Sequence, residues 1–175
     1  LRKFGPPLVD AIQPMPFPQM QTTFDGAVPD GNQNYWKSSF LRALSDDAIR
    51  VMVRHANDAT SPLSAVLVEQ YGGAASRVAP TETAFAQRHA QYDLGILAQW
   101  TRPEEADRHV AWARAFADAM SAYRSGDYLL NFLGEGEDEA IKAAFGPNYL
   151  RLVEVKTKYD PANLFRVNQN IRPSG

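Results

Sequence analysis

The residues of this chain that can do chemistry do not form any constellation that spacing alone identifies. His55, His89 and His109 stand far apart, and no two share the helical spacing of a metal site with a carboxylate between them. They read as surface or half-buried histidines, with no metal site. Tyr71-Gly72-Gly73 lacks the third glycine, the lysine and the capped helix of a phosphate loop, so it reads as a turn. The acidic group Glu135, Glu137, Asp138 and Glu139 lacks the alternating ligands of a calcium loop and reads as a solvated helix start. No serine occupies a G-x-S-x-G elbow, which leaves hydrolase chemistry without support. What remains is aromatic residues beside polar ones on segments of strand composition: Tyr35 and Trp36 with Lys37; Glu69, Gln70 and Tyr71; Asp93; and Tyr128 with Asn131. Concentrated on strands with a polar face, they suit a flat ligand held between that face and another body.

The elements that must carry these residues follow from periodicity and punctuation. Pro6, Pro7, Pro14, Pro16 and Pro18 predict an extended arm over residues 5–18, and the Gly, Pro, Asp and Asn content of 25–34 predicts a loop. Strands are expected over 35–41, 64–71, 89–100 and 128–133. Ser45 is placed to cap a helix over 46–57 whose buried stripe is Ile49, Met52, Val53 and Ala56. Over 89–100, alternation puts Ala90, Tyr92, Leu94, Ile96, Ala98 and Trp100 on one face, the core. His89, Gln91, Asp93, Gly95 and Gln99 fall on the other with Leu97. Thr101 and Glu104 have capping-box spacing, which predicts a helix to about residue 123 with Val110, Ala113, Ala117 and Met120 inward. Further helices are expected after the acidic run and over 148–158, then an irregular tail. Strands and helices interleave, yet turns such as Gly72-Gly73 permit antiparallel neighbours. The fold class is therefore α+β, a sheet covered by helices on one face.

Bulk properties bound the partners. The chain has 175 residues, 45% hydrophobic and 22% charged, enough for one domain with a real core. A net charge of -2 lacks the positive excess that phosphate backbones demand, which argues against nucleic acid. No run approaches the roughly 18 to 20 apolar residues of a membrane span, and no signal-peptide pattern opens the chain. A cytoplasmic location is the expectation, for a chain that starts at Leu1 like a piece of a longer protein. The absence of cysteine excludes disulfides, thiol catalysis and cofactor attachment through sulfur within it.

One long string carries a resemblance. Lys158-Tyr159-Asp160-Pro161-Ala162-Asn163-Leu164-Phe165-Arg166-Val167-Asn168-Gln169-Asn170-Ile171 resembles the terminal signature of berberine-bridge-enzyme-like FAD-linked oxidases. Upstream, Tyr35-Trp36-Lys37-Ser38, Tyr71-Gly72-Gly73-Ala74 with Arg77-Val78, Thr83-Ala84-Phe85 with Arg88, and Asn131-Phe132-Leu133 follow in the order seen in bacterial members. The resemblance implies an antiparallel sheet of about seven strands, helices on one face and the other face over a flavin. Residues 1–158 would be the substrate-binding domain, and 159–175 a tail packing on an FAD-binding domain in the same or another chain. FAD would be the cofactor, and the family's usual covalent attachment would run through a residue outside this chain. The activity implied is oxidation of a hydroxyl-bearing small molecule, a sugar or secondary metabolite, with hydride passing to flavin and oxygen as acceptor. Alternatives are a dehydrogenase using another acceptor, or a relative that only binds.

Site residues follow from the same resemblance. The family's usual base is a tyrosine two residues before an asparagine; here that position is Leu129, and Tyr128 comes one residue earlier. Alternation turns Tyr128 away from Asn131 unless a bulge re-aims it. On the preceding strand the family's polar residue and glutamine correspond to Asp93 and Gly95. Arg77 lies near the position of a glutamate base of some plant relatives, and Gln87 stands where a histidine is frequent. The resemblance thus implies as base Asp93, a re-aimed Tyr128 or a residue of the FAD-binding domain; Trp36, Glu69, Gln91 and Arg77 toward substrate; and Asn131, Tyr159, Asn168 and Asn170 toward the flavin.

Overall fold

The computed structural model describes residues 3, 5–6, 10, 12–23, 25–27, 29–125, 130, 138–167 and 169–174. The chain divides into two compact units, Leu1–Asn32 and Gln33–Gly175. In the first, the proline-rich arm is not extended to its end: α1 (Phe17–Gln21) forms with Pro18 in its first turn, where a missing N–H costs nothing.

The second unit is built on β1 (Gln33–Leu41), β2 (Ala65–Gln70) and β3 (Tyr92–Trp100), antiparallel in the order β1-β3-β2. The strand expected over 128–133 falls almost wholly outside the described residues. A sheet of about seven strands is not found, since the described residues hold three. Between β2 and β3 the chain runs as turns, because Gly72 and Gly73 take left-handed backbone angles (φ 142° and 61°) and Pro80 follows.

The alternating face of β3 is core as expected. Leu94, Ile96, Ala98 and Trp100 pack with Trp112, Ala113 and Phe116 of α3 (Ala106–Ala119) and with Met120, which follows it. The capping box that Thr101 and Glu104 suggest does not form. The chain enters α3 through a 3-10 turn at Pro103–Glu105, and the Glu105 carboxylate is taken by Arg102 and Arg108. The helix also stops at Ala119, short of residue 123, and closes in a 3-10 turn at Ser121–Tyr123.

The helix capped by Ser45, α2 (Asp46–Asn57), has the expected ends, and Ala48 N–H donates to Ser45 Oγ at 3.2 Å. Its buried stripe is rotated from the expected one: Ala48 and Met52 point inward, while Ile49 and Val53 are 41% and 55% exposed. α3 sets this rotation. Trp112 Nε1–H donates to His55 O at 2.9 Å, and the His55 ring stacks on Phe116 at 5.0 Å. His109 is fully buried rather than at the surface. It stacks on Trp100 at 5.1 Å and meets Thr60 Oγ1 at 2.8 Å through Nδ1. Burial foremost, and then the Arg108 guanidinium, hold its pKa below the usual histidine value, as suits a neutral structural ring.

After the residues left undescribed, α4 (Asp138–Phe145) and α5 (Tyr149–Tyr159) are joined by a 3-10 turn at Gly146–Asn148. Among the described residues no helix is long and apolar enough to cross a membrane.

Candidate functional site

Partners in an antiparallel ladder point to the same side. On β3, Asp93 pairs with Phe40 of β1 and Glu69 of β2, Gly95 with Ser38 and Leu67, and Leu97 with Trp36. The face opposite α3 therefore gathers Trp36, Ser38 and Phe40, then Asp93, Gly95, Leu97 and Gln99, then Leu67 and Glu69. Alternation adds Gln91, whose carbonyl accepts Tyr71 N–H at 2.8 Å. Four of the residues expected to form a site, Trp36, Glu69, Gln91 and Asp93, thus share one face.

Asp93 is the singular member. It is 1% exposed, and Ser38 Oγ donates to its Oδ1 at 2.7 Å. Its other oxygen, Oδ2, is buried and has no hydrogen-bond partner among the described residues. Burial pushes the carboxyl up to about 6, with the Glu69 charge adding to the rise and the Ser38 hydrogen bond opposing it. A carboxyl with that pKa and one unused lone-pair edge is suited to accept a proton near neutral pH. Gly95, two residues along, leaves space on the same face: an added Cβ would meet only Leu67 and Leu97 side chains, at 3.6 and 3.8 Å.

Three aromatic rings stand at the Asp93 end of this face. Phe40 meets Tyr71 edge-on with centroids 5.4 Å apart, and Phe85 lies 6.4 Å from Phe40 and 6.3 Å from Tyr71. The Tyr71 hydroxyl has its pKa raised, by burial first and then by the charges of Asp93 and Glu69. Tyr71 was among the aromatic residues read from the sequence as suiting a flat ligand, whereas Ser38, Phe40 and Phe85 were not singled out as site residues. The pointer was there for Ser38 and Phe40, which lie two and four residues from Trp36 on one strand.

Other expected site residues lie elsewhere. Arg77 is exposed in a short 3-10 turn, Ala75–Arg77, off the sheet. Tyr128, Asn131 and Asn168 fall outside the described residues. Tyr159 ends α5 with its side chain largely exposed. Asn170 lines a hollow of about 210 Å³ with Ile141, Lys142, Tyr149 and Arg172, and its Oδ1 is buried with no hydrogen-bond partner among the described residues.

The signature string has a physical role in shaping the tail. The Asp160 carboxylate accepts the backbone N–H groups of Leu164 (2.7 Å) and Phe165 (3.0 Å) and pairs with Lys156. Those contacts, Lys156 first, hold its pKa below the usual carboxylate value. Asn163 adopts the left-handed backbone (φ 52°) that asparagine tolerates. The turn so fixed presents Leu164, Phe165 and Val167 outward, each at least 74% exposed.

The chain thus presents a helix-backed antiparallel sheet of an α+β protein, whose face away from α3 carries a buried carboxyl beside a cluster of aromatic rings. The comparisons give it a family. The profile for berberine and berberine-like proteins matches residues 128–172. The "uncharacterized FAD-linked oxidoreductase YgaK" of Bacillus subtilis is 34% identical over 99% of this chain and 39% of its own length. Among solved structures, BBE-like #28 from Arabidopsis thaliana shares the fold with a TM-score of 0.73 at 24% identity, over 83% of this chain and 34% of that one. A glycopeptide hexose oxidase solved with teicoplanin matches with a TM-score of 0.70 at 25% identity, over 82% of this chain and 33% of that one. The chain belongs to the berberine-bridge-enzyme-like family of FAD-linked oxidoreductases. It spans about 39% of the length of the curated bacterial relatives it matches.

Proposed function

We propose that this chain supplies the substrate-binding sheet, over residues 1–158, and the docking tail, over 159–175, of a FAD-dependent oxidase acting on a hydroxyl-bearing small molecule. The observation that carries this is Asp93: a buried carboxyl on the polar sheet face, anchored through one oxygen and unsatisfied at the other. A substrate O–H donating to Oδ2 would satisfy that acceptor and place its proton on a group able to take it. Ser38 fixes the carboxyl's orientation, and the Phe40, Tyr71 and Phe85 rings offer an apolar wall that limits water beside it. Trp36, Glu69 and Gln91 line the same face and would select among substrates. The hexose oxidase among the structural neighbours supports a sugar or glycosylated metabolite as the class of substrate.

The residues present suit the flavin and a partner domain. Asn170 Oδ1 is a buried acceptor without a donor, and a flavin carries N–H and ribityl O–H donors. Asn131 and Asn168 would act with it, and Tyr159 and the exposed Leu164, Phe165 and Val167 would meet the FAD-binding domain. Bound FAD would supply the acceptor for a hydride from the alcohol carbon, with oxygen as the proposed final acceptor. This chain's share is to hold the substrate and take its proton.

The test is anaerobic single-turnover flavin reduction in the full-length flavoprotein. Asp93→Asn should slow it by about 10²–10⁴ fold, the range of a lost general base. Tyr128→Phe should leave it nearly unchanged. The opposite pattern would move the base to Tyr128, and full rates in both would remove both residues.

A further inference from the structure

Of the Thr83-Ala84-Phe85 and Arg88 pattern, only the Phe85 ring enters the chemistry above, yet the geometry of the whole is specific. In the loop between β2 and β3, the backbone hydrogen bonds from Arg77 through Ala90 include short-range ones such as Glu82 N–H to Ala79 O and Ala90 N–H to Gln87 O. Side chains provide the longer ties. Arg88 Nε–H donates to Phe85 O at 3.0 Å, one Nη donates to Ala75 O at 3.0 Å, and the other reaches Thr83 Oγ1. The same guanidinium lies over the Phe85 ring, 4.9 Å from its centroid. From the other side Asn148 Nδ2 donates to Pro80 O (2.8 Å) and Thr83 O (2.9 Å).

We infer that Arg88 is a positioning residue that fixes the Phe85 ring against Tyr71 and Phe40, and so builds the wall beside Asp93. The Phe85 ring meets Phe40 of β1 and Tyr71 just after β2, and Phe40 is the cross-strand partner of Asp93. One planar fork serves two carbonyls and a hydroxyl while stacking on the ring. Lysine, with a single compact ammonium, cannot do this. The inference rests on the proposed role of Asp93 for its functional consequence, though not for the loop geometry itself.

Without the wall, water reaches the carboxyl and the acid limb of the reaction moves toward lower pH. The groups facing Asp93 among the described residues are Glu69 and Tyr71 from β2 and the segment after it, with the uncharged Ser38 and Phe40 from β1. None of these is changed by substituting Arg88.

The experiment uses the full-length flavoprotein with Arg88→Lys, Arg88→Gln and Phe85→Leu. The readouts are the pH profile of anaerobic flavin reduction, the substrate KM and amide hydrogen exchange over residues 75–88. All three variants should raise KM several-fold and move the acid limb down by about one unit. Both Arg88 variants should also speed exchange in the loop. Lysine restoring the wild-type limb, KM and exchange would overturn the inference, as would a change in melting temperature with limb and exchange unmoved. Asp93→Asn in the same series separates the two ideas. If it keeps full rates, the base assignment fails, and Arg88 is then judged on exchange and KM alone.

Discussion

Acidification should switch off the reductive half-reaction at a pH set by the surroundings of one carboxyl. Asp93 titrates at about 6 instead of the ordinary 3.8. A base must be ionised, so the rate of flavin reduction follows the ionised fraction. That fraction is about ten-elevenths at pH 7 and about one-eleventh at pH 5, a fall of about tenfold. An ordinary aspartate would lose only about 6% over the same interval. Stopped-flow reduction of the full-length enzyme at saturating substrate from pH 4.5 to 8 separates the two. Glu69→Gln, which removes a charge that raises the pKa, should move the limb down. A second consequence needs no turnover. The folded state binds more protons than the unfolded state between pH 3.8 and about 6, so the Asp93 contribution to stability falls as pH rises through that window. The shift of about 2 units corresponds to about 3 kcal/mol. Asp93→Asn should therefore gain stability relative to wild type, by about that amount, between pH 4 and pH 8 in denaturant unfolding. A rate flat to pH 5, together with a pH-independent stability difference, would mean that Asp93 is not the titrating base.

Two further outcomes are expected. Ser38→Ala removes the hydrogen bond that favours the ionised carboxyl, so the acid limb should move up; a charge-assisted bond of about 1.5–3 kcal/mol corresponds to about 1–2 pH units, read in the same pH–rate profile. Phe116→Ala, in the fully buried seam between α3 and the sheet, should cost about 3–5 kcal/mol in denaturant unfolding without moving that limb.

The parts legible in the sequence are those fixed by local periodicity or punctuation. Period-two alternation from Tyr92 to Trp100 placed Asp93 and Leu94 on opposite faces, and Ser45 marked the start of α2. Which side of α2 is buried depends on Trp112 and Phe116, more than fifty residues away, and a local apolar count favours Ile49 and Val53 instead. The capping box at Thr101 failed because Glu105, with Arg102 and Arg108 as partners, offered the helix entrance a different arrangement. At the site, Asp93 was visible as a polar residue on a strand. Glu69 was expected at the site too, but its pairing with Asp93 and the Ser38 contact show only in the strand register, and the place of Phe85 beside Phe40 and Tyr71 only in a loop tied by Arg88 and Asn148. The tail motif could be matched as a string, but the reason for its order, a turn organised by Asp160, shows only in three dimensions.

The most direct measurement is the visible spectrum of the full-length protein under anaerobic titration with sugars and other small alcohols. A yellow flavin band that bleaches with substrate in the wild type, and stays oxidised in a flavin-loaded Asp93→Asn variant, is the expected result. A protein that binds no flavin, or an Asp93→Asn variant that bleaches as fast as wild type, would contradict the assignment of this sheet as the substrate face of the enzyme.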